Sequence, residues 1–213
     1  SQWVAAAGPS VTVAATAPTG YEGQLWLDST DGSMYVYYTD PGGANAQWIG
    51  AVSRSGGILQ VVSTTKTDTF SAAVATPAFT SNVTGLEATI TPTSTSSKIL
   101  VQLSITGSRT GNYAIVVPRL MRDSTPIGIA TGTSLRAAAG GVLSIVSAHT
   151  GSMGVTTTDY LDSPNTTSSI TYGVQLTGIS GTQTVYVNRS AGDSDSTSVA
   201  RAVSTITLME VAG

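Results

Sequence analysis

Ile99-Leu100-Val101-Gln102-Leu103-Ser104-Ile105-Thr106 places an aliphatic residue at every odd position and a polar one at 102, 104 and 106. Successive side chains of a strand point to opposite faces, so this period of two predicts a half-buried strand. Ile99, Val101, Leu103 and Ile105 belong inside, Gln102 and Ser104 outside. Ser204-Thr-Ile-Thr-Leu-Met-Glu-Val211 repeats the pattern near the end of the chain, with Ile206 and Leu208 inward and Thr205 and Thr207 pointing elsewhere. Similar short runs fill the space between, at Ile58–Thr64, Leu86–Thr91, Tyr113–Met121, Ile127–Thr131, Val142–Ala148, Thr156–Leu161, Ile170–Leu176 and Thr184–Val187, separated by Gly, Pro, Asn and Asp. The spacing predicts an all-β chain whose residues 58–213 form an antiparallel β-sandwich, jelly-roll-like. One stretch, Ser134-Leu-Arg-Ala-Ala-Ala139, has helical composition, but Gly140-Gly141 follows at once, so it reads as strand or loop.

A different pattern precedes this region. Pro18-Thr-Gly-Tyr-Glu-Gly-Gln-Leu-Trp26-Leu-Asp28-Ser-Thr-Asp31-Gly32-Ser-Met-Tyr35-Val-Tyr37-Tyr38 sets Asp31-Gly32 between two β-favouring runs. Asp-Gly is the residue pair of a type I′ hairpin, which needs positive φ at both central positions. Pairing Thr30 with Ser33 sets Trp26 opposite Tyr37. Trp26, Tyr35 and Tyr37 then share one face, and Leu25, Leu27, Met34, Val36 and Tyr38 the other. A two-stranded ribbon is marginal alone, so it requires a third strand carrying Trp48 or neighbouring copies. The rings form either a packed mini-core or a platform for stacking sugar. Gln47-Trp48-Ile49-Gly50-Ala51 is echoed by the opening Ser1-Gln2-Trp3-Val4-Ala5-Ala6, which has no initiator Met; the expectation is the C-terminal part of a longer repetitive protein. The organisation predicted is a β-hairpin repeat or spacer module over 1–52, a linker over 53–57 and a β-sandwich head over 58–213.

Composition bounds the partners. The 213 residues carry a net charge of −3, and only 10 % of them are charged. The nine Lys and Arg residues are scattered, which gives no electrostatic footprint for nucleic acid. No apolar run is long enough to span a bilayer as a helix. With no Cys, disulfides cannot stabilise the chain, and oligomerisation is expected in their place.

Several segments in order carry a resemblance: the hairpin phrase, Gly57–Ser71, Arg119-Leu-Met-Arg122-Asp123-Ser-Thr-Pro126-Ile127-Gly128-Ile129, Tyr160-Leu-Asp162-Ser163-Pro164 with Thr171-Tyr172, Asn188-Arg189-Ser190, and Ser204–Val211. Together they resemble the C-terminal regions of tailed-phage fibre and related virion proteins, especially those of marine phages infecting cyanobacteria. The resemblance implies a structural appendage protein of the virion, a homotrimer that presents a β-domain to the host surface and docks on other virion proteins through a preceding N-terminal region. It implies no catalytic residues.

The search for chemistry agrees. His149 is the only histidine, and no Cys exists to build a soft-ligand metal site. Glycoside hydrolysis needs two carboxylates flanking the bond, but most acids here stand in turn contexts. Asp193-Ser-Asp195 has alternating carboxylates without the other ligands of a calcium loop. Asn82, Asn165 and Asn188 open glycosylation sequons, expected by chance in so Ser/Thr-rich a chain. The expectation is therefore no enzyme, no cofactor and no metal. Recognition falls to loops on a rigid sheet: Arg109 and Tyr113 on Gly107–Asn112 and its edge, Asp193 and Asp195 on Ser190–Thr197, and the Trp26, Tyr35 and Tyr37 rings, as contacts for a host glycan or protein. Alternatives are a capsid decoration or head-fibre protein, a polysaccharide-degrading tailspike, and a C1q- or TNF-like secreted module. In the expected trimer, aliphatic residues of Tyr113–Met121 and Val203–Val211 meet at the threefold axis.

Overall fold

A computed structural model describes residues 11–43, 45–51, 57–111, 115–131, 136–145 and 150–213. The described residues are strands and connections without a helix. The chain divides into two compact units, residues 1–55 and 56–213.

The first unit is a four-stranded sheet in the order β1 (Val11–Ala14), β2 (Leu25–Asp28), β3 (Met34–Thr39), β4 (Ala46–Gly50). β1 runs parallel to β2, and the other pairs are antiparallel. The strand carrying Trp48 is β4, which lies beside β3 with Tyr37 opposite Trp48. The hairpin register differs from the expected one, because Trp26 faces Tyr35 rather than Tyr37. Asp31 does not take the positive φ a type I′ turn needs; Gly32 does, at +73°. The Asp28 carboxylate instead accepts from the Thr30 amide and that of Asp31 from the Ser33 amide, both at 2.8 Å. These two local turns widen the connection to four residues. The pairing moves by two residues, so the face of each side chain is unchanged.

The second unit is built around β8 (Lys98–Arg109), whose Ile99, Val101, Leu103 and Ile105 are each no more than 2 % exposed, while Gln102 and Ser104 lie on the other side. β15 (Ser204–Val211) pairs along one edge of β8 and β12 (Gly154–Asp162) along the other. β5 (Ile58–Lys66) pairs with β15, giving the sheet β5-β15-β8-β12. The facing sheet runs β10 (Thr125–Ile127), β9 (Ile115–Arg122), β13 (Ile170–Gly178), β7 (Ala88–Ile90). The antiparallel pairs β5·β15, β7·β13, β8·β12 and β9·β10 are nested in sequence. Such nesting is a long hairpin rolled up, the jelly-roll topology. β6 (Phe70–Ala75) and β14 (Thr182–Val187) form an added pair that joins the first sheet through β8, and β11 (Leu143–Ser144) pairs with β9. The core lies between the sheets, where Leu86, Leu120, Tyr172, Leu176, Ile206 and Leu208 are all within 1 % of complete burial.

Two expectations change here. β6, Phe-Ser-Ala-Ala-Val-Ala, escapes the sequence reading because small residues give little alternation; its pairing with β14 holds it extended. Val116, Val117, Leu120 and Met121 are at most 5 % exposed within one chain, which leaves the half-buried Ile115 as the one aliphatic side chain of β9 with surface toward a threefold axis.

Candidate functional site

The ring cluster of the first unit is built by cross-strand pairing. Trp26 stacks on Tyr35 with ring centroids 4.8 Å apart, and Trp48 meets Trp26 and Tyr37 edge-on at 5.6 and 5.2 Å. Offset and edge-to-face pairs of this kind each add about 0.5–1.5 kcal/mol beyond area burial. The segment between β1 and β2 is anchored to these rings: the Trp26 indole donates to the Ala14 carbonyl and that of Trp48 to the Pro18 carbonyl, both at 2.9 Å. A Cβ at Gly20 would overlap the Tyr37 ring, so only glycine lets the backbone lie against it. Trp26 is 6 % exposed and Tyr35 and Tyr37 are half-buried, the arrangement of a mini-core.

The loop residues separate. Arg109 stands on β8 rather than on a loop; it is 4 % exposed and donates to the Ile179 carbonyl at 2.7 Å, with burial lowering its guanidinium pKa. A residue so enclosed holds the Ile179 turn and presents nothing to a glycan. Tyr113 and His149 lie outside the described residues. Asp195 is exposed. Asp193 is engaged at both oxygens, by Arg201 at 2.7 Å and Arg189 at 3.2 Å, and Arg189 also lies over the Tyr186 ring at 4.5 Å. Two guanidiniums on one carboxylate leave it no charge for a cation. Among the described residues no group of three His, Cys, Asp or Glu could hold a metal ion.

Three buried polar clusters were not assembled by sequence reasoning, although most of their members belong to the segments carrying the resemblance. Asp162 of β12, 4 % exposed, accepts from Arg122 of β9 at 3.0 and 2.9 Å and from the Tyr172 hydroxyl of β13 at 2.7 Å. Burial first, and Asp162 second, push the Tyr172 phenol far above its ordinary value, so it stays a donor. The cluster ties the two sheets together. Glu210, fully buried, accepts from Gln60 at 2.5 Å and from the Thr93 amide and hydroxyl at 2.7 Å each. Burial raises its carboxyl, but the polar groups of Gln60, Ser97 and Thr93 outweigh that and hold it at about 2. Asn188, also fully buried and at φ +60°, donates to the Lys66 and Asp68 carbonyls at 2.8 and 2.9 Å and accepts from Ser204 at 2.7 Å. Its amide is sealed in the fold, so the Asn188 sequon offers no acceptor at the surface.

The outward face of β5-β15-β8-β12 is a regular surface of the second unit. Ser63, Thr207, Gln102 and Asp159 align across it in one row, and Thr65, Thr205, Ser104 and Thr157 in the next. Beside them runs an apolar row of Val61, Met209, Leu100 and Leu161, with Val61 56 % and Leu161 47 % exposed. Lys98 and Asp159 are the only charges pointing outward from these four strands. Among the described residues no helix is long and apolar enough to cross a membrane.

No family model matches the chain, and no curated protein matches it. Among solved structures, one titled "Structure of infectious bursal disease virus Gt strain" is similar at a TM-score of 0.36 and 13 % identity, over 92 % of this chain and 47 % of that chain. The chain thus spans about half the length of that neighbour, and a likeness this slight assigns it neither family nor function.

Proposed function

We propose that the chain is a non-enzymatic structural protein of a virus particle, a tail-fibre or receptor-binding module whose jelly-roll head works as a homotrimer at the host surface. The observation that carries the reading is the apolar row Val61, Met209, Leu100 and Leu161, exposed at Val61 and Leu161 and half-buried between them, on an outward face with two charges. An exposed apolar row on a sheet face with so little charge marks a contact surface, and β5 adds a sheet edge with Ile58 60 % exposed. A neighbouring copy seated on this face satisfies both features. The ordered sequence resemblance to phage fibre proteins supplies the number three and the virion setting. In this reading the hairpin unit is a spacer, and the buried polar clusters are fastenings of a rigid head.

Adsorption of fluorescently labelled protein to susceptible and resistant bacterial cells tests the receptor role. Saturable binding to the susceptible cells alone is expected, and Asp195→Ala probes the exposed loop. Equal, non-saturable association with both cell types would remove receptor binding from the proposal and leave a purely structural part.

A further inference from the structure

The two faces of the N-terminal sheet are treated differently by its own chain. The aromatic face is packed beneath the segment that joins β1 to β2. The opposite face carries Val11, Val13, Leu25, Leu27, Met34, Val36, Tyr38, Gln47 and Ile49, fixed there by the strand register. Eight of these nine are apolar and none is charged. Val11 is 45 %, Val13 62 %, Met34 38 %, Tyr38 40 % and Ile49 37 % exposed. A sheet with two apolar faces needs a layer against each.

We infer that this face packs against the same face of other copies of the chain, making the N-terminal unit a second self-association surface. The inference rests on the homo-oligomer reading above and adds a site to it. Two arguments choose the occupant. The first is chemical: with the Gln47 amide and the Tyr38 hydroxyl as its polar groups and no charge, the face has nothing to pair with a phosphate or a charged peptide, while a second copy offers the same uncharged, mainly aliphatic surface. The second is area. Four strands about 4.8 Å apart, of four to six residues at about 3.3 Å each, give a footprint of roughly 250–380 Å². That is well below the roughly 800 Å² per partner of a stable independent complex. A free partner would be held weakly. Copies already joined through their heads meet this face at an effective concentration on the order of millimolar, where a small apolar contact closes.

The absence of cysteine makes single-thiol variants of the full chain specific. Met34→Cys lies on the face and Glu22→Cys in the exposed segment before β2. Light scattering gives the assembly mass of each variant, a monofunctional maleimide its thiol reactivity, and a short bis-maleimide its chain-to-chain proximity. The expected result is a multi-chain mass for both, a Met34→Cys thiol that reacts about tenfold more slowly than that of Glu22→Cys, and a covalent dimer from Met34→Cys alone. Adding Val13→Asp and Ile49→Asp to Met34→Cys is expected to restore fast reaction and abolish the dimer while the mass stays multi-chain. A multi-chain mass with equal reactivity and no dimer overturns the inference and leaves the proposed function standing. A protected thiol without a dimer also overturns it, because the face is then covered within its own chain. A monomeric mass overturns the inference and the trimer reading together.

Discussion

Glu210 offers the sharpest test of how the head is held together. Its carboxylate sits at 0 % exposure beneath Gln60 and Thr93, and its pKa is held at about 2 against an ordinary 4.5. A difference of that size, at about 1.4 kcal/mol per unit, corresponds to roughly 3 kcal/mol of folding stability. Because the folded value is depressed, the contribution is complete above the unfolded pKa of about 4.5 and is lost as pH falls toward 2. Glu210→Gln keeps the shape but turns an amide NH2 toward donors on Gln60 or Thr93, leaving buried groups unsatisfied. At neutral pH the variant is expected to lose about 3 kcal/mol, which for a domain of this size lowers Tm by roughly 6–12 °C. All three tryptophans lie within residues 1–55, so far-UV circular dichroism or tyrosine emission must report urea unfolding of the head. The decisive quantity is the difference in stability between wild type and Glu210→Gln across pH. It should be near its full value above pH 4.5 and shrink toward zero near pH 2. A difference under about 0.5 kcal/mol at neutral pH, or one that does not change with acid, would refute the assignment of Glu210 as a fastening.

Other outcomes follow from the same structure. Arg122→Ala leaves Asp162 buried without its guanidinium and is expected to cost about 3–5 kcal/mol; Tyr172→Phe should cost about 1–2 kcal/mol, and a double-mutant cycle should show the two coupled. Asn188→Gly removes the bonds to the Lys66 and Asp68 carbonyls but tolerates the +60° φ. Asn188→Ala removes the bonds and adds left-handed strain of about 1–2 kcal/mol, so thermal melts should rank Asn above Gly above Ala. Trp26→Ala should unfold the N-terminal sheet alone, seen as loss of near-UV dichroism while the head keeps its Tm. Arg109→Ala should lower head stability, and loss of cell adsorption without loss of stability would contradict its buried position.

The strand alternation was legible in the sequence because one face of β8 and of β15 meets a core and the other does not. Ile99 through Ile105 and Ile206 with Leu208 write that difference directly. β6 was not legible, because Ser71, Ala72 and Ala73 are too small to mark a face. The hairpin faces could be read but not the register, since two aspartate side chains decided the turn and their bonding is a local competition that Asp-Gly does not display. For the site the reading was poorest where it judged loops by composition. Arg109 follows glycine and serine and precedes Thr110-Gly111-Asn112, yet it lies inside the sheet. The Arg122–Asp162–Tyr172 and Glu210 clusters join residues far apart in sequence, and only the nested pairing of the jelly roll brings them together.

The mass of the full chain in dilute solution bears most directly on the central claim that uncovered sheet faces belong to a homotrimer. Light scattering coupled to size exclusion should return three times the 21.5 kDa chain mass, unchanged on dilution through the micromolar range. A particle of 21.5 kDa, with Val61 and Leu161 open to water, would contradict it.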